Sequence, residues 1–138
     1  METLDAYDLA ILQHLQQDGR LTNAELAQRV GLSAAPCWRR VRALEEAGFI
    51  RGYRAEIDRH KIGLGVLAFV RLDAAQISAA SMRGLEQAIR AQPEIISCHY
   101  ISGTGTFELQ VVATDLDAFS HFALERLLVL PHVGAVHT

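Results

Sequence analysis

The groups best equipped to act on another molecule are guanidinium groups. Arg39 and Arg42 stand three apart within Pro36-Cys-Trp-Arg-Arg-Val-Arg-Ala-Leu44. Cys37, Val41 and Leu44 recur there at i, i+4 and i+7, the spacing of a buried helical face. The two arginines therefore face outward, with Ala35 on their side and Trp38 and Arg40 on the flanks. A guanidinium stays charged and presents a planar fork of donors that fits a phosphate or the edge of a guanine. An arginine pair on an amphipathic helix ordinarily reads as a solvated face, but this one has company. From Arg29 to Lys61 there are eight basic residues against four acidic, in a chain of 138 residues whose net charge is −3. Such a local excess suits a polyanion, because phosphate neutralisation supplies much of the affinity for a duplex.

A second chemical feature is Ser102-Gly-Thr-Gly-Thr-Phe107. The glycines of Gly103-Thr104-Gly105-Thr106-Phe107 leave backbone N–H groups open to a carboxylate, and the threonine hydroxyls add hydrogen bonds. The residue types alone leave a carboxylate cradle and a plain hairpin turn equally open. A dinucleotide loop is disfavoured, since a third glycine is missing and strand-like alternation follows where a helix is required. The six histidines show no i, i+3 or i+4 pairing, and Cys37 and Cys98 form no C-x-x-C. No metal, cofactor, disulfide or catalytic set is therefore expected, and the chain does not read as an enzyme.

The outward arginines need a scaffold, and the residues before them specify one. Thr22 caps a helix and Glu25 completes a capping box. Leu26, Ala27 and Val30 make its inner face, and Gly31 ends it, where positive φ is tolerated. Ser33 is expected to cap the next helix, with Pro36 in its first turn. Two helices joined by Gly31-Leu32-Ser33 form a helix-turn-helix. Leu4 to Gln17 carries helical periodicity and reads as a supporting helix. Phe49 to Ile57 alternates like a short strand or pair of strands, consistent with a small wing.

On this scaffold Ser33, Ala35, Trp38, Arg39 and Arg42 are expected near base edges or the groove wall. Thr22, Asn23, Arg51 and Arg54 are expected to hold phosphates, fixing register without reading sequence. For Trp38, partial packing beside Cys37 and Val41 is an equal alternative.

The remainder follows different rules. Asp58 to Gly65 is polar with two glycines and reads as a hinge. Val66 to Asp73 alternates as a strand, Ser78 to Gln92 as a helix ended by Pro93, Ile95 to Ile101 and Phe107 to Ala113 as a hairpin. Asp115 caps a helix running to about Leu128, and Pro131 and Val133 open a last strand. This β-α-β-β-α-β order is a ferredoxin-like sandwich. The fold class is thus α+β, with a winged helix-turn-helix at 1–57, a hinge at 58–65 and a second domain at 66–138. Residues 63–138 hold four basic against seven acidic residues, so one half suits DNA and the other repels it. Met1 is followed by acidic and polar residues, unlike a signal peptide, and no apolar run spans a bilayer. A cytoplasmic protein is expected.

Taken together, these residues resemble the Lrp/AsnC, or feast/famine, family of transcription regulators. The resemblance rests on Leu4-Asp5 with Asp8, Ile11 and Leu12, then Asp18-Gly19-Arg20, Val30-Gly-Leu-Ser33, Pro36-Cys37, Arg40-Val41, Leu44-Glu45, Gly48-Phe49-Ile50 and Gly52-Tyr53. It implies that the second domain is a RAM-type sensor that binds an amino acid at Gly103 to Phe107, pairs two chains and stacks dimers into octamers. It also implies two recognition helices set on a pseudo-palindromic operator of double-stranded DNA. Thr106 stands where many relatives carry aspartate, so a hydroxyl replaces a charge. Relatives continue past the position of Thr138, so the last strand is expected to be short. The alternatives are an architectural DNA binder that needs no ligand and, on the same fold, a sirohaem decarboxylase-like enzyme.

Overall fold

A computed structural model describes residues 3–138. The chain divides between Glu56 and Ile57 into two compact units.

The first unit contains α1 (Ala6–Gln17), α2 (Asn23–Val30) and α3 (Ala34–Glu46). Asp5 caps α1 reciprocally with Asp8, and Thr22 caps α2 reciprocally with Glu25. Each capping box satisfies two backbone donors that a helix start would otherwise leave open. Gly31 ends α2 at φ +77°, a conformation that costs glycine little and other residues more. Ser33 occupies the N-cap of α3, but its side chain makes no capping hydrogen bond. The expected serine cap is therefore positional only. Ile11, Leu26, Ala27, Cys37 and Leu44 are buried together where the three helices meet.

Residues 49–57 depart from expectation, because no strand forms there. Every residue from Arg51 to Ile57 is exposed. Alternation supplies the strand pattern, yet an isolated ribbon is marginal without a third strand or a helix to cover one face. Residues 58–65 close on themselves. The Asp58 carboxylate accepts from the backbone N–H groups of His60 and Lys61, and Arg59 donates to the Leu64 carbonyl at 2.9 Å. This segment is a built turn at the start of the second unit.

The second unit contains β1 (Val66–Ala74), α4 (Ala79–Arg90), β2 (Ile95–Ile101), β3 (Thr106–Ala113), α5 (Leu116–Phe122) and β4 (Val133–His137). The strands form one antiparallel sheet ordered β2-β3-β1-β4, which is the ferredoxin-like arrangement. Val70, Leu72, Phe107, Leu109 and Val111 pack with Leu85 and Ile89 of α4 and Phe122 of α5. Intervening residues such as Phe69 and Arg71 lie on the other face, as a period of two requires. The helix expected after Asp115 runs on to Leu127, but its α-helical part, α5, ends at Phe122. A π-helical turn, Ala123–Leu127, follows, with the Leu128 N–H bonded to the Ala123 carbonyl. Arg126 anchors this turn to Glu94 and Gln92 and lies over the Phe122 ring.

Candidate functional site

The outward face of α3 carries three of the expected residues together. Trp38 is 55% exposed, so its ring is partly covered and partly open to solvent. The Arg42 guanidinium lies 5.6 Å from the Trp38 ring centre and 3.6 Å from the Glu46 carboxylate. Both Arg42 contacts are surface contacts of modest strength, so neither prevents it from turning to another anion. Arg39 is exposed and, among the described residues, makes no ion pair. Ser33 and Ala35 are exposed at the start of the same helix. A helix N-terminus adds partial positive charge there, which an approaching phosphate also meets.

The four residues expected to hold phosphates divide in two. Thr22, Arg51 and Arg54 are exposed. The Thr22 hydroxyl accepts from the Glu25 N–H at 3.1 Å and keeps its own proton to donate. Asn23 also makes a contact inside the motif. Its amide donates to the Ala34 carbonyl at 2.8 Å, so it fastens α2 to the first turn of α3 and is only half-exposed.

Arg40 is the positioning residue that spacing missed. It donates to Asp5 at 2.6 Å and Asp8 at 3.0 Å, and it lies 5.2 Å from the Tyr7 ring centre. The Asp8 backbone N–H first, and Arg40 second, hold the Asp5 carboxyl below its usual range, while the two carboxylates raise the Arg40 pKa. Arg40 thus ties α3 to the N-terminus of α1. The available signal was the pair Asp5-x-x-Asp8, an acidic doublet at a helix start awaiting a cation. Arg29 in the last turn of α2 is also exposed and adds to the basic surface.

In the second unit, the residues expected to bind an effector are dispersed. Gly103 and Thr104 are exposed at the tip of the β2–β3 hairpin. Gly105 is buried at φ +68°, where an added Cβ would stand 2.8 Å from Ile77, and its carbonyl accepts from the Ala74 N–H. The Thr106 hydroxyl is buried in a 2.6 Å hydrogen bond to Asp73. That bond, ahead of a second contact from His137 at 3.2 Å, holds the Asp73 carboxyl below its usual range. Phe107 faces the core, tilted 54° to Tyr100 with ring centres 5.5 Å apart. The glycine loop is therefore not an open cradle along its length. Its second half is committed to packing, because the hairpin must fit over Ile77 and Asp73.

Among the described residues, no group of three histidine, cysteine or acidic side chains is arranged to hold a metal ion. No helix of the described residues is long and apolar enough to cross a membrane.

The comparisons with known proteins agree on both units. Residues 4–51 match the family described as winged helix-turn-helix DNA-binding, and residues 67–138 match the Lrp/AsnC ligand binding domain. The leucine-responsive regulatory protein of Rhizobium meliloti is 44% identical over 135 residues, covering 98% of this chain and 86% of that protein. Its counterpart in Escherichia coli strain K12 is 38% identical over 135 residues, covering 98% and 82%. Among solved structures, a transcriptional regulator of Neisseria meningitidis in complex with L-Met aligns with a TM-score of 0.90 and 41% identity, covering 98% of this chain and 87% of that one. An AsnC family transcriptional regulator of Agrobacterium tumefaciens aligns with a TM-score of 0.88 and 34% identity, covering 97% and 87%.

Proposed function

The chain belongs to the Lrp/AsnC family of transcription regulators, and from that premise we propose that paired copies present α3 to the major groove of a pseudo-palindromic operator while an amino acid tunes the output. The observation that carries the DNA-facing assignment is the exposed Arg39, without an ion pair among the described residues, on one helix with Arg42 and Trp38. Ser33, Ala35, Trp38, Arg39 and Arg42 then lie against base edges and groove walls. Thr22, Arg51 and Arg54 hold phosphates, and Asn23 contributes by fixing the turn. Two copies are needed because a two-fold site is read by a two-fold protein, with half-sites one helical turn apart. The protein works in the cytoplasm, with its operators.

Support for an amino-acid effector comes from the ligand-binding family matched by the second unit and from the L-Met complex of the Neisseria relative. The effector acts by binding one assembly or DNA-bound state better than another, since equal affinity for both would shift nothing. Thermal shift with each of the twenty amino acids, followed by DNA binding with and without any hit, tests the reading. At ligand a hundredfold above its Kd, the folded state gains about 2.7 kcal/mol, which a melting curve resolves. DNA binding with no response to any amino acid would instead identify a ligand-independent architectural binder.

A further inference from the structure

We propose that Trp38 is a specificity-determining residue of the DNA complex, its indole ring packing on the C5 methyl of a thymine in the major groove and its N–H donating to that thymine's O4. The proposal rests on the reading that α3 faces DNA, and it adds the base that one side chain selects and the two contacts that select it.

Trp38 is the one tryptophan of the chain and lies in the first half of α3, the part of a recognition helix that reaches base edges. The side chain borders a crevice with Leu21, Leu26, Val41 and Tyr53, while 55% of the residue is left in water. An aromatic side chain braced on one side has little rotamer freedom to lose on binding, which is why such rings serve as anchors in recognition surfaces. Its neighbours on the outward face leave it accessible. Ala35, three residues earlier, is exposed and carries only a methyl group, so a base can approach the ring from the N-terminal side. The Arg42 guanidinium, 5.6 Å from the ring centre, uncovers the ring face when it turns to DNA.

The chemistry of the side chain matches one base. Among the described residues, Arg40 is the member of α3 whose side chain donates hydrogen bonds within the protein, so the Trp38 N–H is left for an outside acceptor. An indole N–H is a donor only, attached to a broad apolar surface. In the major groove, thymine alone among the four bases sets an acceptor, O4, beside a methyl group. Cytosine presents an amino donor there, which would meet the indole N–H donor to donor, and it has no methyl. Guanine offers acceptors without an apolar group, and these suit the guanidinium groups of Arg39 and Arg42. The outward face of α3 thus carries two kinds of reader, and a guanidinium cannot replace the indole.

The test takes the full chain and an operator recovered by selection from random DNA, and replaces the thymines of each half-site by deoxyuridine, one position at a time. Deoxyuridine lacks only the methyl. Fluorescence anisotropy should find one thymine per half-site whose replacement weakens wild-type binding roughly fourfold, the transfer value of one methyl-sized group, or about fifteenfold when both half-sites are changed. Trp38→Ala should bind the two DNAs equally, and Arg39→Ala should keep the fourfold difference. Trp38→Phe keeps an aromatic ring and loses the N–H, so it should retain the methyl preference and bind the thymine operator roughly three- to tenfold more weakly than the wild type. Acrylamide quenching of the single tryptophan should fall on the operator and not on an unrelated duplex. A deoxyuridine penalty that persists in Trp38→Ala, wild-type affinity in Trp38→Phe, no responsive thymine, or a tryptophan equally quenched on the operator overturns the assignment to Trp38, while Arg39→Ala still reports on α3. Failure of the selection to recover any preferred sequence overturns the reading of α3 and the assignment together.

Discussion

Truncating Arg39 gives the most direct measurement of what α3 does. Arg39 is exposed and has no ion pair among the described residues, so Arg39→Ala removes no fold-stabilising contact and should leave the melting temperature within about 2–4 °C, since surface changes usually fall within about ±0.5 kcal/mol. On DNA the loss is large. A guanidinium reading a base edge is worth about 1–3 kcal/mol, or roughly 5- to 150-fold in Kd. Two copies on one operator double the energy to about 2–6 kcal/mol per site. Arg42→Ala should cost less, because Arg42 must first leave Glu46 and the face of Trp38. The assay is fluorescence anisotropy on a site recovered by selection from random DNA, repeated across a salt series. A base contact lowers specific affinity and leaves non-specific binding nearly intact. A phosphate contact lowers both and reduces the slope of log K against log salt by about 0.9 per contact. If Arg39→Ala and Arg42→Ala both bind the operator with unchanged affinity and slope, α3 does not face the groove and the assignment fails.

Three further outcomes follow from the same structure. Ile11 is fully buried where the three helices meet, so Ile11→Ala should lower stability by about 2–5 kcal/mol in a denaturant titration; wild-type stability would show that α1 does not support the recognition helix. Gly31 and Gly105 share positive φ, but a Cβ at Gly31 meets open space while one at Gly105 meets Ile77 at 2.8 Å. Gly31→Ala should therefore cost about 1 kcal/mol of backbone preference alone, and Gly105→Ala clearly more, an ordering that thermal melts of the two variants can reverse. The Thr106 hydroxyl, first among its causes, depresses the Asp73 carboxyl in the folded protein. That contribution is fully present above the unfolded carboxyl's ordinary value of 3.8 and fades as the pH falls through the lower folded one. Thr106→Val should weaken this acid-side dependence, and identical acid melting profiles for the two proteins would contradict it.

Much of the architecture was legible because its signals are local. The Thr22–Glu25 box, Gly31 after Val30, and Cys37, Val41 and Leu44 at helical spacing each act over one turn. Val70 and Leu72 alternating with Phe69 and Arg71 carry the strand pattern in the same short range. The misreadings lie where a local pattern needed a distant partner. Residues 49–57 alternate but have no strand beside them. Asn23 gained a contact that no local pattern announced, its amide donating to the Ala34 carbonyl 11 positions away.

The amino-acid sequence by itself determined the helices and the four sheet strands in order, the basic character of α3 and the family resemblance, because capping, periodicity and charge are written within a few residues. Only the tertiary structure decided which polar groups remain free. Arg40 donates to carboxylates 35 and 32 positions away, and the Thr106 hydroxyl donates to one 33 positions away. Such pairings depend on helix docking and strand register, which span the chain and are set by the burial of the whole core rather than by any single segment.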